Sequence, residues 1–165
     1  MRTTVAILVS LLLAACASTG NSGVPQDTNL ALGKSISSNG HIYDFTAQSA
    51  VDGDVMSYFE GAANAYPNVV TLDLGESSEV HSMKVRLNPK RIWQARTQTF
   101  EVSASDDGTN FTVIVPSKAY DFDPEDNQNT VDVVWQGKTR YLRLTFTANT
   151  EATAGQIAEW EVWGR

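Results

Sequence analysis

The stretch Val70-Thr71-Leu72-Asp73-Leu74-Gly75 alternates apolar and polar side chains, and Met83-Lys84-Val85-Arg86-Leu87 repeats the pattern soon after. A period of two sets every second side chain on one face of a strand, where a helix would need a period near 3.6. Working outward, Phe100-Glu101-Val102-Ser103-Ala104 alternates too and runs into Asp106-Asp107-Gly108-Thr109, a hairpin-type turn. Residues 111–115, 130–135, 141–146 and 158–162 continue the series. No segment has the pattern of a long amphipathic helix. Residues 54–67 and 121–129 lack strand character and are expected to be ordered loops. Short alternating strands with polar turns predict an all-β antiparallel sandwich or jelly roll, with one face of each strand in the core and the other in water.

The chain has 165 residues, of which 42% are hydrophobic and 19% charged, a globular composition for one domain plus a tail. Nineteen Asp and Glu against 12 Lys and Arg leave a net charge of −7, which argues against nucleic acid as a partner because few counterions could be displaced from a duplex. A single Cys excludes both an intrachain disulfide framework and a Cys-rich zinc site.

Upstream of the strands, Met1-Arg2 is followed by an apolar run over residues 5–15 broken only by Ser10. The run is too short to span a bilayer, which takes about 20 residues, but has the length and flanks of a secretory signal. It ends Leu13-Ala14-Ala15-Cys16, which resembles the lipobox of bacterial lipoproteins. That resemblance implies cleavage before Cys16, lipidation of its thiol and attachment to a membrane through the lipid alone. Residues 1–15 are then a signal peptide, 16–28 a lipidated tether rich in Ser, Gly, Asn and Thr, and 29–165 the domain. Ala17 and Ser18 are not Asp, so the retention signal of enteric inner membranes is missing, which favours the outer membrane.

Several short motifs follow one another in a distinctive order. Asn29-Leu30-Ala31-Leu32-Gly33-Lys34 opens the domain, followed by Ala50-Val51-Asp52-Gly53-Asp54 and Tyr58-Phe59-Glu60-Gly61. Thr71-Leu72-Asp73-Leu74-Gly75, the run from Phe100 to Gly108, Arg140-Tyr141-Leu142-Arg143-Leu144 and Ala158-Glu159-Trp160-Glu161-Val162-Trp163-Gly164 complete it. The order and spacing resemble the coagulation factor V/VIII type C, or discoidin, domain, and within it the bacterial carbohydrate-binding modules of family 32. The resemblance covers nearly all of residues 29–165. It implies an eight-stranded antiparallel β-sandwich, a galactose-binding-domain-like jelly roll whose termini lie close together. Phe59 stands where the family usually has Trp.

Asp52, Asp54 and Ser57 surround Gly53 within six residues. Hard cations take several oxygen ligands, and a Gly turn lets such oxygens converge; a capped, solvated Asp-Gly turn reads the same way locally. The family resemblance implies a structural Ca²⁺ held by Asp52, Asp54, Ser57 and Glu159 with the carbonyls of Ala50 and Ala158.

A basic and aromatic cluster, Asn88-Pro89-Lys90-Arg91-Ile92-Trp93-Gln94-Ala95-Arg96, joins two strands of this acidic chain. Trp93 sits in a polar context where no core demands it. Sugars present apolar C–H faces, on which aromatic rings stack, and hydroxyls, which bind most strongly to charged groups. The resemblance places Tyr43, Glu60, Arg91 and Arg96 in the ligand-binding loops, with Trp93 and Tyr66 as candidate stacking platforms. The plainer readings are that the arginines balance acidic surface, that Trp93 covers a sheet edge and that Tyr66 anchors a loop. Trp135, Trp160 and Trp163 fall on strands and are expected in the core or at an edge. His81 is expected to be solvated on its strand, and His41 to face solvent in a loop.

No Gly-x-Ser-x-Gly elbow and no Gly-Lys-Ser/Thr phosphate loop occurs, and the acidic run Asp121, Asp123, Glu125, Asp126 has the character of a solvated loop. The expectation is a monomeric, non-catalytic lipoprotein that holds polysaccharide at the cell surface, with a glycoside hydrolase as a partner. A protein- or envelope-interaction module of the discoidin type and a small glycan-active enzyme are the alternatives.

Overall fold

The computed structural model describes residues 26–90 and 93–165. The expected signal peptide, Cys16 and most of the tether therefore lie outside the described residues, as does Arg91. Among the described residues ten strands follow one another: β1 (Thr28–Asn29), β2 (Ser35–Ser38), β3 (Phe59–Glu60), β4 (Asn68–Arg86), β5 (Arg96–Ser105), β6 (Thr112–Phe122), β7 (Thr130–Val133), β8 (Gly137–Asn149), β9 (Gln156–Ile157) and β10 (Glu159–Gly164). A 3₁₀ turn, Ala47–Ala50, lies between β2 and β3. Every pairing is antiparallel.

Eight of the strands share one continuous ladder, and β3 with β9 forms a short separate pair. The ladder makes two layers because β4 serves both. Its first half pairs with β2 and with residues 141–146 of β8; its second half pairs with β10 and β7. The register against β8 breaks between Asp73 and Ser78, where Gly75 takes φ 90°. The two alternating stretches that decide the fold are thus halves of one 19-residue strand, not separate strands. A bulge then corrects the pleat. Val80 pairs with Gly164 and Ser82 with Trp163, so His81 is the extra residue, and the buried side chains change parity from Val80 to Met83 and Val85. His81 is not simply solvated, since its Nδ1 lies 2.8 Å from Asp27 Oδ2.

Phe59, Phe100, Phe122, Phe146, Leu72, Leu142, Met83 and Trp160 are wholly buried between the layers. Each such side chain contributes about 1.5–3 kcal/mol on burial, whereas an exposed pair such as Lys84–Asp132 contributes about 0–1 kcal/mol. Packing therefore dominates stability. Trp160 is core, while Trp135 is only partly buried against it. The domain's ends meet as expected, with Thr28 opposite Gly164. Residues 54–67 and 121–129 are mostly loop, but Phe59–Glu60 forms β3, and Asp121 and Phe122 finish β6.

Candidate functional site

One end of the sandwich gathers the start of β5, the end of β8, β9, and the loops before and after β3. Four aromatic rings form a ladder there. Tyr43 meets Phe45 edge-on at 6.2 Å, Phe45 stacks on Tyr58 at 4.3 Å, and Tyr58 stands perpendicular to Trp93 at 4.7 Å. The Arg96 guanidinium lies over the Trp93 ring, 5.0 Å from its centroid. Tyr43 is 83% exposed, with a left-handed φ of 45° that turns it outward. Trp93 is half-buried.

A polar network fixes the charged members. Arg96 Nη1 donates to Gln156 Oε1 at 2.6 Å, and Gln156 Nε2 donates to Glu60 Oε2 at 2.9 Å. One amide thus holds a cation and a carboxylate apart at a set spacing. Gln156 is held in turn: its N–H donates to Gln98 Oε1 at 2.8 Å, and Asn149 Nδ2 donates to Gln156 Oε1 at 3.3 Å. Gln98 is fully buried, so its orientation is fixed by packing as well. Burial lowers the Arg96 pKa, and the charges of Glu151 and Glu60 oppose that shift. Burial first, then Glu60, raises the Tyr58 and Tyr66 hydroxyls. A cleft of about 260 Å³ adjoins Arg96, lined by Thr97, Thr150, Asp121, Asp123 and Phe122.

The loop bearing Trp93 is pinned from beneath. Asn129, wholly buried at φ 55°, donates through Nδ2 to the carbonyls of Asn88 at 2.8 Å and Trp93 at 3.1 Å. The stacking role expected of Tyr66 does not suit its position. Its ring leans on the core and its hydroxyl is shut from solvent without a partner, so it anchors the loop. Phe45, Tyr58, Gln98, Asn149 and Gln156 are not among the site residues expected from the sequence. Their signals were faint: Tyr43-Asp44-Phe45, a Tyr beside the core Phe59, and amides on predicted strands and loops.

The expected cation ligands converge in part. Glu159 is 3% exposed at the start of β10, and its Oε1 accepts from the Gly53 N–H at 2.7 Å. Its carboxyl is pushed up to about 7, chiefly by burial, against the lowering effect of Gly53 and with further raising by a hydrogen bond and charge from Asp52. Ser57 Oγ donates to Asp52 Oδ2 at 2.7 Å. Asp54 Oδ1 accepts instead from the Met56 N–H at 2.9 Å, and among the described residues no three acidic, His or Cys side chains form a metal cluster. The donor set is thus two adjacent carboxylates and a hydroxyl. It suits a hard cation whose remaining ligands are backbone oxygens, such as those of Ala50 and Ala158.

The antiparallel pairing and the two layers that share β4 define an all-β sandwich. The F5/8 type C domain family matches residues 33–160, and the chain belongs to it. No curated protein matches the chain by sequence. Among solved structures, chitosan-binding module 1 of a chitosanase/glucanase from Paenibacillus sp. IK-5 is similar at TM-score 0.69 and 23% identity, covering 83% of this chain and 99% of that one. The family 32 carbohydrate-binding module of C. perfringens NanJ, solved with galactose, is similar at TM-score 0.68 and 19% identity, over 83% and 98%. The family 32 module of AlyQ, solved with 4,5-unsaturated mannuronic acid, follows at TM-score 0.62 and 20% identity, over 78% and 92%. At these identities the likeness is one of fold.

Proposed function

We propose that this chain is a non-catalytic carbohydrate-binding domain that takes polysaccharide on the Trp93 end of its sandwich. The observation that carries the reading is the Gln156 side chain bridging Arg96 and Glu60 beside the Trp93 ring. A cation and a carboxylate at fixed spacing offer a donor and an acceptor to hydroxyls, and the neighbouring rings offer a surface for the apolar sugar face. Tyr43 is the outermost ring, and the cleft beside Arg96 leaves room for an adjoining sugar unit. Carbohydrate-binding modules are among the similar folds, which supports a binding role over a catalytic one. So does the position of Glu159, the carboxyl raised to about 7, which is buried against Gly53.

The lipobox supports a further part of the proposal: Cys16 carries lipid, and the tether holds the domain at the outer membrane, where it can present polysaccharide to a partner glycoside hydrolase. Labelled palmitate should enter the full chain and be absent from Cys16→Ala. A Ca²⁺ bound by Asp52, Ser57, Glu159 and backbone oxygens is proposed as a structural tie between the first loop and the last strand.

The binding test is affinity electrophoresis of the purified domain through gels containing laminarin, chitosan or polygalacturonate. Retardation by at least one polymer is expected, with affinity reduced tenfold or more in Trp93→Ala and in Gln156→Leu. Migration unaffected by all three polymers, or retardation unchanged in both variants, overturns the reading.

A further inference from the structure

The far end of the sandwich has its own aromatic groove. β5 runs from Arg96 beside the Trp93 platform to Ser105 at the opposite end, about 30 Å at roughly 3.3 Å per residue. There, Trp135 lines a groove of about 280 Å³ with Asp106, Asn110, Thr112, Ile114 and Lys138. The volume sits at the low end of ligand clefts, which run from roughly 300 Å³, and suits one ring.

Three features separate this groove from an ordinary strand edge. First, the indole rests over Gly137, where any Cβ would collide with the ring, so Trp135 is held in place. Second, its N–H has no partner among the described residues and is not among the buried unpaired atoms, so it is available to a ligand. Third, Lys138 and Asp106 flank the groove without an ion pair or hydrogen bond to any described residue. Three other pairs of opposite charges on this surface do close on each other, Lys84 on Asp132, Arg86 on Glu161 and Arg140 on Asp73. Here a cation and a carboxylate face one space and leave it open. Val134 forms an apolar lip, 84% exposed.

We propose that this groove is a second saccharide site, taking one pyranose unit of a polysaccharide chain. The sugar's C–H face lies on Trp135, and its hydroxyls accept from the indole N–H and Lys138 and donate to Asp106. The ligand class rests on the function proposed above, but the site and its residues are separate. With sites at opposite ends, one domain can bridge two polymer chains or gain avidity on one.

Nuclear magnetic resonance of the four indole N–H groups tests this directly, with each signal assigned by a Trp→Phe variant and the domain titrated with laminarihexaose, hexaglucosamine and trigalacturonic acid. The Trp135 signal should move with a midpoint distinct from that of Trp93. The exposed pair Lys138→Ala with Asp106→Ala should raise the Trp135 midpoint at least tenfold and leave the Trp93 midpoint unchanged. A Trp135 signal that stays fixed while Trp93 saturates overturns the second site and leaves the first standing. Movement of Trp135 alone keeps the second site and removes the first. No movement of either with any probe removes both, and a Trp135 midpoint unmoved by the double variant overturns the assignment of Lys138 and Asp106.

Discussion

The two ends of the sandwich each carry a Trp near a cation and a carboxylate, but they are built differently. At the Trp93 end the charged groups are already spoken for: Gln156 spans Arg96 and Glu60, and Gln98 orients Gln156. At the Trp135 end Lys138 and Asp106 wait without partners. A site whose side chains are ordered before the ligand arrives loses less conformational entropy on binding than one that must order them, by about 0.5–1.5 kcal/mol per long side chain. The Trp93 end should therefore be the tighter and more selective site, and the Trp135 end the weaker and more tolerant one.

The largest effect expected from breaking this contrast is at Asn129, which pins the Trp93 loop. Asn129→Ala strands two carbonyls in the interior and leaves a non-Gly residue at φ 55°. Lost hydrogen bonds and unpaired buried groups together cost about 3 kcal/mol. Chemical denaturation should show that loss, and saccharide affinity should fall at the Trp93 end alone. Unchanged stability would remove Asn129 as the pin.

Calcium comes next in size. An ion that binds only the folded state at a hundredfold excess over its Kd stabilises by about 2.7 kcal/mol. Millimolar Ca²⁺ should raise the melting temperature by several degrees over EGTA, and the gain should vanish in Glu159→Gln. Identical melting in Ca²⁺ and EGTA would exclude the tie. Because Glu159 follows β9 by two residues, hydrogen exchange should show the added protection at the Trp93 end.

What was legible before folding follows from how local each signal is. Strand alternation is written in neighbouring residues, so Val70 to Leu74 and Met83 to Leu87 declare themselves. Their union into β4 does not, because Gly75-Glu76-Ser77 has the composition of a turn and only the partners β8 and β10 keep the strand going. The His81 bulge was hidden for the same reason: a bulge exists only relative to a partner. Trp93 and Arg96 stood out as a large ring and a cation in an acidic, polar stretch. Their supports did not, since Gln98 and Gln156 are 58 residues apart and nothing local marks an amide as buried. Glu159 and Gly53 are separated by 106 residues and were paired only through the family resemblance. Asp54 matched the family motif, yet its side chain caps its own turn, a choice that depends on the backbone around Met56.

Acid should separate the two ends with the smallest energies of all. Gly155 and Gln156 N–H groups at the Trp93 end donate to neutral amides, Asn68 Oδ1 and Gln98 Oε1, both at 2.8 Å. At the far end the equivalent acceptors are carboxylates. Thr109 and Asn110 N–H groups both donate to Asp107 Oδ1 at 2.8 Å, and Gly75 N–H donates to Asp73 Oδ1 at 2.8 Å. The N–H of Asn110 most of all, with its side chain, Thr109 and Ser105, holds the Asp107 carboxyl well below the ordinary 3.8. The Arg140 hydrogen bonds do the same for Asp73, against partial burial. A carboxyl with a depressed folded pKa binds fewer protons folded than unfolded, so its contribution is whole above the unfolded value and is lost as pH falls through the folded one. Amide exchange, corrected for intrinsic rates, should therefore lose protection at Thr109, Asn110 and Gly75 as pH falls from about 4, while Gly155 and Gln156 hold. Asp107→Asn should flatten the response at Thr109 and Asn110 and leave Gly75 responsive. Equal loss at both ends would mean that the sandwich opens as one unit and that its ends share a single stability.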